Sequence, residues 1–164
     1  MKGCLVASVL AFLAMFLPST PAHAQYACSV SAGGVVNFAF YNAASSTPAI
    51  ANSSATLTCS YVSGGAQKVD WMMTLSNGVS GDCNARTMTG PGAVLSYNIY
   101  QNSVAGGVWG NLACASYPFG TMTVGPGVGN GTRTVTYTLY GQIPVGQFVA
   151  AGTYTENLTL TITY

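Results

Sequence analysis

GTYTENLTLTITY, residues 152–164, closes the chain. Within it Leu158, Leu160, Ile162 and Tyr164 alternate with Thr159, Thr161 and Thr163. A period of two predicts a strand buried on one face and wet on the other. The alternation runs to the last residue, and a β-branched, uncharged edge of this kind is a template for another chain unless something covers it.

The same period recurs upstream. SVSAGGVVNFAF (29–40) sets Val36, Phe38 and Phe40 on one face, with Gly33-Gly34 marking a bulge or break. ATLTCSY (55–61) aligns Ala55, Leu57, Cys59 and Tyr61, and KVDWMMTLS (68–76) aligns Val69, Trp71, Met73 and Leu75. AVLSYNIY (93–100) groups Leu95, Tyr97 and Ile99, and TRTVTYTLY (132–140) groups Val135, Tyr137 and Leu139. Asn77-Gly78, Pro91-Gly92, Gly106-Gly107 and Asn130-Gly131 are turn signals. Residues 42–52 and 114–129 are expected to be loops. No segment after residue 24 holds a helical period, so the expected fold is all-β: one immunoglobulin-like antiparallel β-sandwich of six or seven short strands.

The first residues belong to export. Lys2, the apolar run CLVASVLAFLAMFL (4–17) and the small-x-small site Ala22-His23-Ala24 read as a signal peptide over residues 1–24. The run is too short for a comfortable membrane span, and Cys4 precedes the apolar run, which does not suit a lipoprotein. The domain expected over residues 25–164 keeps neither Cys4 nor His23. Its Lys68, Arg86 and Arg133 balance Asp70, Asp82 and Glu156. A neutral chain with so few charges has little attraction for nucleic acid or anionic lipid. It also has little charge to keep copies apart, which suits a surface meant to pack against something.

Four cysteines remain, Cys28, Cys59, Cys83 and Cys114. An even count in an exported chain favours two disulfides over metal binding, and neither a CxxC spacing nor a histidine is there to build a zinc site. Three connectivities are open. The least nested, Cys28 with Cys59 and Cys83 with Cys114, is the expectation, each loop being worth about 3–4 kcal/mol in the chain-entropy model.

Catalytic readings find little support. General acid–base work draws on a histidine or a tuned carboxylate, whereas Asp70, Asp82 and Glu156 are isolated in sequence and read as solvated or structurally hydrogen-bonded acids. No serine stands in a G-x-S-x-G setting, and GPGVGNG (125–131) lacks the lysine and strand-to-helix context of a phosphate loop. The N-x-S/T matches at Asn52, Asn130 and Asn157 are a weak signal in a threonine-rich chain. Trp71 and Trp109 read as packing residues, with exposed aromatics for sugar binding the sharper alternative. The expectation is a protein that is not an enzyme and holds no cofactor or metal.

DCNARTM (82–88), LSYNIY (95–100), VWG (108–110), YGQIP (140–144) and the closing GTYTENLTLTITY together resemble the spore coat protein U domain, shared with subunits of archaic chaperone-usher, Csu-type pili. The likeness spans essentially all of residues 25–164, in order. It implies a structural or adhesive surface subunit whose sandwich is incomplete, lacking its last strand and completed by a donated one. A periplasmic chaperone fills the groove first, and a neighbouring subunit replaces it at an outer-membrane usher. The implied groove has Leu158, Leu160, Ile162 and Tyr164 on one wall and Val36, Phe38 and Phe40 on the other. The resemblance further implies passage through the periplasm to a pilus at the cell surface.

One departure is visible. Rod subunits of such pili donate a long alternating segment that precedes the first cysteine. Between the expected cleavage point and Cys28 stand Gln25, Tyr26 and Ala27, spanning roughly 10 Å at strand rise. The expectation is therefore a subunit that accepts a strand without passing one on, at a tip or terminating position, although the adhesin of such systems has two domains. The alternative is a self-contained extracellular module binding carbohydrate or another surface, with its last strand already paired.

Overall fold

Strand formation follows the apolar alternation, and the computed structural model describes it for residues 25–114 and 116–164. The expected signal peptide lies outside the described residues. Nine strands form among them: β1 (Tyr26–Ala32), β2 (Ala49–Tyr61), β3 (Gln67–Leu75), β4 (Thr87–Gly90), β5 (Ala93–Ser96), β6 (Asn98–Gln101), β7 (Phe119–Val124), β8 (Thr132–Ile143) and β9 (Leu160–Thr163). One sheet runs β1-β2-β8-β6, a second runs β7-β3-β9, and β4 and β5 form a hairpin. Every pairing is antiparallel.

The core lies between the two larger sheets because their inward positions are the apolar ones. Ala55, Leu57 and Cys59 of β2 face Val69, Trp71, Met73 and Leu75 of β3, all buried, with Leu95, Tyr97, Ile99, Leu139 and Ile143 around them. Side chains enclosed as fully as Leu57, Met73 and Ile99 contribute roughly 1.5–3 kcal/mol each through removal from water. The outward positions of β2 and β8 carry hydroxyls, and Thr56 pairs with Thr136 at 3.0 Å and Ser60 with Thr132 at 3.3 Å. Such cross-strand pairs add a few tenths of a kcal/mol, about 0.2–1 each.

The sheet order has a consequence. The first sheet follows the A-B-E-D arrangement of the constant-type immunoglobulin sandwich, and β3 and β9 stand as its C and F strands. The position beyond F belongs to strand G in that arrangement. Among the described residues no strand occupies it, and β9 pairs on one side alone.

Three boundaries differ from the sequence reading. Residues 114–129, expected as a loop, contain β7, which buries only Met122 and Val124 and carries Gly120 under the Trp71 ring. Two apolar positions flanked by glycine and proline are too little pattern to announce a strand. Ala49–Asn52, placed in a loop, begin β2, whose partner β8 extends far enough to pair them. Ladder pairing in the last segment covers only Leu160–Thr163, and before it Thr155 alone makes a bridge, to Thr89.

Candidate strand-acceptor groove

Between residues 34–41 and residues 152–160 a cavity of about 800 Å³ opens into the sandwich. Its floor is the core itself: Leu75, Leu95, Tyr97, Ile99, Leu139 and Ile143.

The first wall begins where β1 leaves its partner. After Ala32 the chain breaks at Gly33-Gly34 and crosses the sandwich instead of continuing along β2. Ser53 Oγ donates to Gly34 O at 2.8 Å and Gly33 N to Ser54 O at 2.7 Å, which fixes the departure point. Val36 and Phe38 then settle against Gly141 of β8. A Cβ on Gly141 would stand 2.6 Å from Val36 Cγ1 and 2.7 Å from Phe38 Cζ, so the absent side chain is what lets this wall approach. Phe38 meets Tyr97 edge-on, with ring centroids 6.2 Å apart.

Phe40 departs from its expected place. Ala39 adopts φ 53, with Asn37 Oδ1 accepting from Ala39 N at 2.8 Å. One left-handed residue breaks the period-two alternation, and Phe40 is left at the cavity rim, 79% exposed. Beyond it, the Tyr41 hydroxyl accepts from Gln147 N at 2.8 Å, and the Gln147 side chain bonds both backbone groups of Ser96.

The second wall is residues 152–159. Tyr154, Glu156 and Leu158 are half-buried and alternate with exposed Thr153, Thr155, Asn157 and Thr159. Thr155 exchanges two backbone bonds of 3.0 Å with Thr89, and Thr159 O accepts from Ser76 N at 2.9 Å. Glu156 is the one acid in this inward series. Its Oε1 accepts from Val79 N at 2.6 Å and its Oε2 from the Tyr97 hydroxyl. Burial, then the bond to Glu156 and that residue's charge, hold the Tyr97 phenol far above its usual range, with Arg86 opposing.

Arg86 supports this wall from beneath and was not singled out from the sequence. It is fully buried. Its guanidinium donates to Ser76 O at 3.1 and 2.7 Å, to Asn98 Oδ1 and Trp109 O at 2.8 Å each, and to Cys83 O at 3.4 Å. Burial lowers its pKa, while Tyr97, Glu156 and Asp82 push the other way. An arginine between Cys83 and Met88, in a chain with 4% charged residues, was the available signal.

The remaining site residues lie at the other end of the seam. Cys28 is bonded to Cys59, its register partner across β1 and β2, with Cα atoms 4.0 Å apart. Cys83 is bonded to Cys114, Cα atoms 6.5 Å apart, tying two loops beside Arg86. Leu158 and Leu160 line the cavity, whereas Ile162 and Tyr164 do not. Ile162 pairs with Met73, and the Tyr164 ring packs on Tyr26 with centroids 6.0 Å apart, closing that end.

Where the seam is open, several of its backbone N–H groups have no partner among the described residues. Among the described residues, no hydrogen-bond partner is found for the N–H groups of Val35, Val36, Asn37 and Phe38, nor for those of Glu156, Asn157 and Leu158. The arrangement is a trough with an apolar floor and free main-chain donors on both banks. No cluster of His, Cys, Asp and Glu able to hold a metal ion is found among the described residues, and no helix there is long and apolar enough to cross a membrane.

The profile of the Spore Coat Protein U domain matches residues 14–161. The chain belongs to this family. Among solved structures, this spore coat protein U domain resembles a chain from the chaperone–tip adhesion subunit pre-assembly complex of archaic chaperone-usher Csu pili of Acinetobacter baumannii. The two are 23% identical with a TM-score of 0.52. The match covers 85% of this chain and 40% of that one, so the likeness concerns the fold of part of the longer protein. No curated protein matches.

Proposed function

We propose that this spore coat protein U domain is a structural or adhesive subunit of a secreted surface fibre, assembled by strand addition in the seam between residues 34–41 and 152–160. One observation carries the reading: the free edge of β9 stands beside an apolar trough whose banks hold unpaired backbone N–H groups. An extended segment laid there would bond to the main chain of the banks and press alternate side chains onto Leu75, Ile99, Leu139 and Ile143. The eight residues 152–159 offer roughly 25 Å of edge at strand rise, room for four inward side chains of the guest. Val36, Phe38, Leu158 and Leu160 would hold it, Phe40 would cover it from the rim, and Ile162 and Tyr164 would meet its far end.

In this reading residues 1–24 are the signal peptide and residues 25–164 the working domain. A periplasmic chaperone occupies the trough during export, and a neighbouring subunit takes its place at an outer-membrane usher, on the way to the cell surface. Tip or terminating position is the finer part of the proposal. It draws support from β1, which is paired to β2 from Tyr26 onward and locked by Cys28–Cys59, so residues 26–32 are not free to be donated.

The test is the recovery of residues 25–164 from a bacterial periplasm, with and without a chaperone encoded in the same operon. Loss of the chain alone and recovery as a one-to-one complex is the expected result. A soluble, cooperatively unfolding monomer that ignores the chaperone would overturn the proposal and favour a self-contained binding module.

A further inference from the structure

We infer that Glu156 sets a polar register position in the trough, so that the segment it accepts carries a neutral hydroxyl or amide side chain opposite Glu156 and apolar side chains opposite Leu158 and Leu160. The inference rests on the strand-addition reading and narrows its partner.

The inward series of the second wall runs Tyr154, Glu156, Leu158, Leu160. Glu156 and Tyr97 both line the cavity, in a floor that is otherwise apolar. An ionised carboxylate has about four acceptor sites, and among the described residues one bond to each oxygen, from Val79 N and from the Tyr97 hydroxyl, leaves the others unfilled. In the open trough water can reach them. A guest with an unbroken apolar face would expel that water and offer nothing in return, and a buried acceptor left unpaired near a charge is costly. A guest hydroxyl or amide N–H at that position removes the cost.

The charges nearby decide between a neutral and a cationic guest residue. Arg86 is fully buried and, among the described residues, is bonded to backbone carbonyls and the Asn98 amide oxygen without a carboxylate in contact. Glu156 is one of the acids whose field it feels. A guest lysine would set a second cation near a buried one, and a guest acid would face Glu156 itself. A neutral donor satisfies the carboxylate without disturbing that balance. The device also fixes register: a slip of two residues would bring an apolar side chain onto the carboxylate and the polar one onto Leu158, so a misaligned guest is penalised twice.

The experiment appends a guest strand to the full chain after Tyr164 through a two-residue Asn-Gly turn, so that it runs back antiparallel along β9 and the second wall. Inward positions are Val, and each in turn is changed to its near-isostere Thr, then to Lys and Asp, with thermal unfolding as the readout. Expected is one position where Val→Thr raises Tm by about 3 °C in the native background and lowers it by a similar amount in Glu156→Leu. Lys and Asp at that position lower Tm, and Glu156→Gln, which keeps an acceptor oxygen, retains part of the Thr preference. All-Val being best at every position, or a Thr preference that survives Glu156→Leu, overturns the inference and leaves the groove standing. An appended alternating strand that stabilises no more than a scrambled one overturns the groove reading and this inference with it.

Discussion

The seam between the first and last segments has two halves that read alike in sequence and behave differently in the fold. In one, β1 lies on β2 under the Cys28–Cys59 bond, β9 lies on β3, and Tyr26 packs on Tyr164 to draw the two edges together. In the other, residues 35–38 and 152–159 keep the same alternation until Ala39 breaks it before Phe40, and a cavity and unpaired donors lie between the two segments. Alternation specifies which side chains face inward. It does not specify that a strand has a neighbour, because a hydrogen-bond ladder needs a second edge at the right distance.

The largest loss of stability should come from the closed half. Replacing Cys28 and Cys59 together by Ser removes the cross-link that holds β1, with an expected loss of about 3–4 kcal/mol in denaturant unfolding. A loss under about 1 kcal/mol would mean that β1 is held by its ladder alone.

Next in size is Gly141, where the open half meets the sheet. Gly141→Ala drives a methyl group into Val36 and Phe38, and the overpacking should cost about 1–3 kcal/mol. The loss should shrink when Val36 is trimmed to Ala in the same chain, a coupling measurable by a double-mutant cycle. Independence of the two changes would place the first wall farther from β8 than described.

Tyr97 sharpens the chemical side of the contrast. Tyr97→Phe removes the hydroxyl bonded to the Glu156 carboxylate and should cost about 1–2 kcal/mol near neutral pH. A raised folded-state pKa means that the stabilising contribution is complete below the unfolded phenol value of 10.0 and is lost as pH climbs above it towards the folded value. The native chain should therefore lose stability with a steeper slope than Tyr97→Phe above pH 10, and parallel slopes would separate the Tyr97 hydroxyl from Glu156.

The smallest effect belongs to Phe40. At 79% exposed it holds little of the isolated fold, so Phe40→Ser should change stability by less than about 0.5 kcal/mol. The same change should weaken capture of a guest strand, read as faster loss of the periplasmic complex. A strong destabilisation would return Phe40 to the interior, where simple alternation put it.

Much of this architecture was legible in residue order. The inward sets of β2 from Ala55 onward, of β3 and of β8 up to Leu139 are runs of strict alternation, which is why they read cleanly. The all-antiparallel sandwich follows from them. Elements that were not legible share a cause: their state depends on distant partners. β7 has two buried apolar residues and exists because β3 offers it an edge. Ala39 takes a left-handed turn because Asn37 and the crossing over Gly141 demand it.

The candidate site divides in the same way. Period two put Val36, Phe38, Leu158 and Leu160 on inward faces, and the resemblance implied that those faces line a groove. Arg86 and the inward carboxylate of Glu156 were not, since a charge inside a trough is paired or satisfied only through groups remote in the chain: Ser76, Asn98 and Trp109 for one, Val79 and Tyr97 for the other. By itself, then, the order of residues determined the strand type, the inward faces and the neutral, hydroxyl-rich exterior, because these depend on side-chain period and composition. Only the tertiary structure decided which edges met, where the seam stayed open and which carboxylate faced into it. Those are matters of long-range distance, and no local pattern encodes a distance between segments more than a hundred residues apart.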